Sequence, residues 1–194
     1  WGGLLKSRKS AALPGAKIYP PTLTNSDLAN IKIAKEMGVT GVMQPFVRDH
    51  SDLECVKEAL REAGAEDIRL FAKIENMDGV RKLEELLPAA DEIVIARGDL
   101  GNAVHLWDLP GVQRQISEKC RAAGKPFMVV TQMLASMERS PVPTRAEVND
   151  IFHAVMDGAA SIMVTGETAV GDYPVEVIRY MVNTVRSAEK EENR

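Results

Sequence analysis

Two patterns of apolar residues alternate along this chain. Short runs rich in Val and Ile are separated by longer stretches whose apolar positions recur every three or four residues. The first pattern predicts strands and the second helices. Asn25 or Ser26 caps a helix through Met37, with Leu28, Ile31, Ala34 and Met37 inward and Gly38 at its end. A strand over 41–46 follows and runs out at Arg48. Ser51 or Asp52 opens a helix that turns Leu53, Val56 and Leu60 inward and stops at Gly64. Next come a strand over 68–75, a helix across 79–87 ending near Pro88, and a strand over 92–97. Pro110 and Gly124 bracket a helix with Val112, Ile116 and Cys120 on one face, proline early and glycine just past the end. After a strand over 127–131, Thr144 and Glu147 form a capping box for a helix to about Asp157, which Gly158 ends. A strand over 161–165 leads to Gly166, Glu167 and Thr168. Asp172 and Pro174 open a last helix, and residues 189–194 form a charged, frayed end. A weak strand over 17–19 precedes Pro20 and Pro21, and residues 1–16 read as a tail or linker with Lys6, Arg8 and Lys9 in solvent.

The strands are apolar on both faces, which suits a parallel sheet covered by helices. Their ends recur near residues 46, 73, 97, 131 and 165, like one repeated module. The class is α/β. An open doubly wound sheet and a barrel both accommodate the pattern. A closed (β/α)8 barrel takes ~250 residues. With 194 residues, this chain holds about five strand–helix units and is too short to close one alone.

Chemistry gathers where the strands run out. Lys73 and Glu75 end one strand, and Arg97 and Asp99 end the next. In α/β proteins, ligands bind at the carboxyl ends of parallel strands. Lys73 and Glu75 are two apart and face the same way. Glu75 and Asp99 come from successive strand ends, and two carboxylates with open neighbouring positions suit Mg²⁺, which keeps several waters. Lys73 would set a fixed positive charge beside a transferring phosphoryl group or a developing enolate. Thr131 offers a hydroxyl at the next strand end, and Gly98 lets backbone amides approach an anion. The competing reading makes Lys73–Glu75 and Arg97–Asp99 internal ion pairs that hold strand ends. Spacing alone leaves both open.

Composition narrows the field without choosing. A hydrophobic fraction of 45%, a charged fraction of 27% and a net charge of −4 fit an ordinary globular domain. They give no reason to expect a nucleic-acid or membrane partner. No run is long and apolar enough to span a bilayer. Cys55 and Cys120 lack metal-ligand spacing and read as reduced helix cysteines of a cytoplasmic protein. His50, His105 and His153 form no ligand pattern, and the dinucleotide, Walker and GxSxG motifs are missing.

Five stretches in order carry a family resemblance: AKIEN (72–76), ARGDLG (96–101), TQML (131–134) with Ser136 and Met137, PTRAEV (143–148), and GETA (166–169) with Tyr173 and Pro174. Together they resemble pyruvate kinase. GGLLKSRK (2–9) with LPG (13–15) is similar to the segment by which that family leaves its small lid domain, and Leu23, Thr24 and Asp27 to the helix start that follows. The resemblance implies that residues 1–16 end the lid domain and 17–194 form the C-terminal part of a (β/α)8 catalytic barrel. It implies transfer of a phosphoryl group from phosphoenolpyruvate to ADP, giving pyruvate and ATP in glycolysis, with Mg²⁺ (or Mn²⁺) and K⁺. Glu75 and Asp99 would bind the divalent ion and Lys73 would stabilise the transition state. Gly98, Asp99 and Thr131, with Arg97, would contact the substrate, Thr131 lying near the proton donor to the enolate. Arg145 matches a subunit-interface arginine, so a homo-oligomer, or docking to the rest of a barrel, is expected. The K⁺ ligands, a phosphoryl-gripping arginine and the nucleotide lid belong to parts of the family's chain that this sequence does not span. Pro45 stands where the family has Ser, and Asn102-Ala103 replaces a hydrophobic–Glu pair. Two other classes stay in view: a stand-alone Mg²⁺-dependent enolate enzyme acting on a 2-oxo acid, and an inactive binding or structural protein.

Overall fold

In the computed structural model, residues 20–192 are described, together with Ser7. The expected strand over 17–19 and nearly all of the linker lie outside the described residues. Five strands follow in chain order: β1 (Gly41–Gln44), β2 (Arg69–Ile74), β3 (Glu92–Ala96), β4 (Phe127–Val130) and β5 (Ser161–Met163). They form one sheet of order β1-β2-β3-β4-β5, and every neighbouring pair is parallel. Helices α1 (Asn25–Ala34), α2 (His50–Glu62), α3 (Met77–Arg81), α4 (Leu83–Leu86), α5 (Arg97–Ala103), α6 (Leu109–Ala122), α7 (Arg145–Met156), α8 (Gly166–Ala169) and α9 (Pro174–Glu192) lie before, between and after them. This is part of a (β/α)8 barrel.

The two faces of the sheet have different fates. Leu70, Ala72, Ile74, Ile93, Ile95 and Val129 join the helices in one continuous core. A fully buried side chain of this size contributes about 1.5–3 kcal/mol, so this side carries most of the stability. On the opposite face Val94, Ala96 and Val130 pack with Phe71, Met128 and Met163 in a separate cluster made only of strand residues. Lys73 pairs in register with Val94, so it stands on this second face.

Several boundaries move, each for a local reason. Strand β1 stops at Gln44, because Pro45 has no N–H to donate and Phe46 turns to φ +50°. Helix α1 is capped by Thr24, in a capping box with Asp27, and ends at Ala34 rather than Met37. The helix expected over 79–87 is two short helices, broken at Lys82 (φ −97°, ψ 14°). Residues 97–103 form a helix that Gly98 and Gly101 disfavour by propensity. Residues 189–192 are helical rather than frayed. Ala188, fully buried one residue earlier, anchors that end. The Thr144–Glu147 capping box forms as expected, and Glu147 also accepts from Ser136, tying α7 to the 3-10 turn Ala135–Glu138.

Candidate active site at the strand ends

Lys73 and Glu75 meet where β2 ends. Lys73 Nζ lies 2.8 Å from Glu75 Oε1. The other carboxylate oxygen, Oε2, accepts from the Phe46 amide at 2.8 Å. Glu75 is only 4% exposed, a depth at which an ionised carboxylate needs partners. One partner is a cation and the other a backbone N–H, so both oxygens are aimed. The loop after β1 supplies the second and is itself stitched to β2. Val47 N–H donates to the Lys73 carbonyl at 3.3 Å, and Asn76 Nδ2 donates to the Val47 carbonyl at 3.1 Å. Asn76 also caps α3 through the Gly79 amide. A Cβ on Gly79 would sit 2.6 Å from the Val47 carbonyl oxygen, so only glycine lets α3 approach this closely.

The end of β3 is built differently from the ion-pair reading. Arg97 does not pair with Asp99. Its Nη1 lies 2.7 Å from Asp150 Oδ2 on α7, while Nη2 and Nε donate to the Thr131 carbonyl at 2.7 and 3.3 Å. The guanidinium is therefore spent on the protein, and its side chain is 12% exposed. Asp99 sits in the first turn of α5, is exposed, and has no ion pair among the described residues. Gly98 backs directly onto Thr131: a Cβ there would lie 2.9 Å from Thr131 Cγ2 and 3.5 Å from its hydroxyl oxygen. Thr131 and Gln132 both have positive φ, +82° and +55°, conformations that cost an L side chain about 1–2 kcal/mol. At the end of β5, buried Glu167 accepts from the Leu134 and Thr165 amides at 3.2 and 2.8 Å and joins the β4 and β5 loops.

Lys73, Glu75, Gly98, Asp99 and Thr131 thus occupy the carboxyl ends of three adjacent strands. The ion-pair reading holds for Lys73–Glu75 and fails for Arg97–Asp99. Asp150 and the Phe46 amide escape a sequence reading. The first lies 53 residues from its partner, and the second is backbone. A small, hard divalent ion is held by few carboxylates and keeps its waters; of the two acids at these strand ends, Glu75 has a partner on each oxygen and Asp99 is exposed. Among the described residues no group of three or more His, Cys, Asp and Glu forms a closed metal cage.

Away from this end, Arg145 opens α7 on an exposed surface. A groove of about 520 Å³ between α7 and α9 is lined by Val142, Pro143, Val148, Phe152 and Tyr180. Cys55 is exposed, whereas burial pushes the Cys120 thiol up to about 12, the charge of Lys125 opposing this only in part. Among the described residues no helix is long and apolar enough to cross a membrane.

Ionisable groups gathered where parallel strands run out, on consecutive units of a (β/α)8 barrel, define a barrel protein with its functional face at the strand ends. The family model for the pyruvate kinase barrel domain matches residues 1–178, and the chain belongs to that family. It is similar to pyruvate kinase of Bacillus licheniformis, 42% identical over 188 residues, covering 97% of this chain and 32% of that protein. Human pyruvate kinase PKLR is 43% identical over 188 residues, covering 97% and 33%. Pyruvate kinase of Clostridium acetobutylicum is 38% identical over 191 residues, covering 98% and 40%. The chain spans about a third of the length of the curated relatives it matches.

Proposed function

We propose that this chain supplies the divalent-ion and enolpyruvate part of a pyruvate kinase site. That site moves a phosphoryl group from phosphoenolpyruvate to ADP in the cytoplasm. The bond between phosphorus and the enol oxygen breaks, a bond from phosphorus to the terminal oxygen of ADP forms, and the enolate takes a proton at carbon to become pyruvate. The observation that carries this reading is the Lys73–Glu75 pair at 2.8 Å, aimed by the Phe46 amide beside Gly98, Asp99 and Thr131.

Glu75 and Asp99 would hold Mg²⁺ or Mn²⁺, which when bound neutralises charge on the substrate oxygens. Lys73 places its ammonium at the same spot and stabilises charge as it develops. Positioning and charge are most of what phosphoryl transfer asks of a protein. Gly98, having no side chain, lets the Thr131 side chain rest against it, and the Thr131 hydroxyl would stand near the proton's path. Arg97 serves the substrate by fixing Thr131. We assign no described side chain to K⁺. Self-association, or docking to the remainder of a barrel, is proposed through the Arg145 end of α7.

Mn²⁺ binding to the full chain, read from the electron paramagnetic resonance of free ion, tests this reading. Glu75→Gln is expected to weaken Mn²⁺ binding at least tenfold, and pyruvate to tighten it in the parent protein. The second assay is methyl-proton exchange of pyruvate in D₂O with Mg²⁺, which Lys73→Met should slow. A parent chain that binds no Mn²⁺ and exchanges no protons refutes the proposal.

A further inference from the structure

We propose that Asp150 is a positioning residue for the strand-end site, acting through Arg97 on Thr131. The inference rests on the reading that Thr131 faces substrate. Asp150 touches neither the metal carboxylates nor Lys73, and no local pattern singles it out.

Three observations carry it. The first is strain. Thr131 and Gln132 are consecutive non-glycine residues at φ +82° and +55°, and such conformations persist only where surrounding contacts over-determine them. The second is how the strained turn is held. Among the described residues its only side-chain grip on a backbone carbonyl is Arg97, whose Nη2 and Nε both reach the Thr131 oxygen, at 2.7 and 3.3 Å. The Thr131 side chain meanwhile rests on Gly98, with no room for a methyl group between them. The third is how the arginine is held. Nη1 lies 2.8 Å from Asp150 Oδ1 and 2.7 Å from Oδ2, a contact that takes both oxygens. Gln113 adds a long contact at 3.5 Å, and the Met133 sulfur, a weak acceptor, lies 2.9 Å from Nη2. The arginine side chain is 12% exposed and the Asp150 side chain 33%, so the cation lies inside and its counter-charge closes it off at the rim. A planar fork held at one end by a carboxylate presents its other end in a fixed direction. Remove the carboxylate, and a nearly buried cation loses its counter-charge and its orientation together. Thr131 then loses the bond that keeps its carbonyl down and its side chain against Gly98.

The test uses the full chain with Asp150→Asn, which keeps an acceptor of the same shape, and Asp150→Ala, which removes it. Proton–methyl NMR first reads the cross-peak between the Thr131 methyl and the Gly98 α-protons, with no ligand present. Asp150→Ala should abolish it and Asp150→Asn weaken it about twofold or more, while the Thr184 methyl on α9 keeps its shift. Binding then separates positioning from loss of fold. Pyruvate affinity in the presence of Mn²⁺ should fall about tenfold in Asp150→Ala and partly recover in Asp150→Asn. Mn²⁺ affinity without pyruvate should stay within twofold, because Glu75 and Asp99 are untouched. If Asp150→Ala does not fold, Asp150→Asn decides by the same cross-peak. An unchanged cross-peak, or equal losses of Mn²⁺ and pyruvate binding, overturns the proposal. A parent chain that binds no Mn²⁺ refutes the functional reading instead, and the cross-peak still decides the role of Asp150.

Discussion

Replacing Gly79 by alanine tests how tightly the strand-end site is built from below. Gly79 is buried in α3, and a Cβ there would meet the Val47 carbonyl oxygen at 2.6 Å and Ile74 Cδ1 at 3.5 Å. Carbon rests against a carbonyl oxygen at about 3.3–3.6 Å, so helix and loop must part by roughly 0.7–1.0 Å. The blocking atom is backbone, which cannot swing aside as a side-chain tip would. Overpacking of this kind costs about 1–3 kcal/mol. The separation also stretches the Asn76–Val47 hydrogen bond, now 3.1 Å, worth about 0.5–1.5 kcal/mol. Against this, alanine gains about 0.8–1.0 kcal/mol over glycine in a helix. The net expectation is destabilisation by about 1–3 kcal/mol. Gly111 supplies the control, since it is a helical glycine in α6 with nothing within 4 Å of its added Cβ. Gly111→Ala collects the propensity gain alone and should stabilise by about 0.5–1 kcal/mol. Urea unfolding reads the pair, and at about 1–3 kcal/mol per molar the two midpoints should lie about 1 M apart on opposite sides of the parent. Gly79→Ala should also weaken Mn²⁺ binding, because the Phe46 amide moves away from Glu75. A Gly79→Ala midpoint at or above the parent, tracking Gly111→Ala, would refute the reasoning.

Three further outcomes follow from groups outside that contact. Burial opposes ionisation of Asp52, but hydrogen bonds from the Arg48 side chain, the Thr22 hydroxyl and the Arg48 amide outweigh it and hold the carboxyl at about 2. Relative to about 3.9 in an unfolded chain, the lowered value contributes roughly 2–3 kcal/mol that is present above about pH 4 and lost as pH falls through about 2. Asp52→Asn should therefore cost about that much at pH 7 and almost nothing at pH 2, as measured by urea midpoints at both. Thiol labelling of the native protein should modify exposed Cys55 rapidly and spare buried Cys120, which becomes reactive only in denaturant; prompt labelling of two thiols would contradict the packing of α6. Glu167→Gln leaves a single acceptor oxygen for two amides, those of Leu134 and Thr165. At about 1–3 kcal/mol for an orphaned amide and about 2–4 °C per kcal/mol, Tm should drop by about 2–12 °C.

Period and punctuation made much of this architecture legible. Val and Ile runs located the five strands, and the Thr144–Glu147 spacing located the start of α7, because these signals lie within a few residues. Lys73 and Glu75 were legible as a pair for the same reason: a separation of two on one strand puts both on one side. Arg97 was legible as a strand-end cation but not as to its partner. Asp150 comes from a helix 53 residues away, and tertiary packing, not spacing, chose it over Asp99. The Phe46 amide was invisible because a backbone N–H has no letter in the sequence. Helix α5 was missed because Gly98 and Gly101 argue against a helix by propensity. The close packing of Gly98 on Thr131, which uses the missing side chain, appears only in three dimensions.

The strand order β1-β2-β3-β4-β5 also bears on how the molecule is made. Among the described residues each strand is paired only with its neighbours in the sequence, so none of these pairings waits for a distant strand. A chain emerging from the ribosome can lay each strand on the one before it and cover it with the helix that follows. The cost of loop closure stays small and nearly constant from unit to unit. Growth then resembles that of a repeat protein, and the edge that grows is always the newest strand. Truncation after Gly158 should accordingly leave the pairing of β1 to β4 intact, whereas a cut within β3 removes the strand that joins β2 to β4.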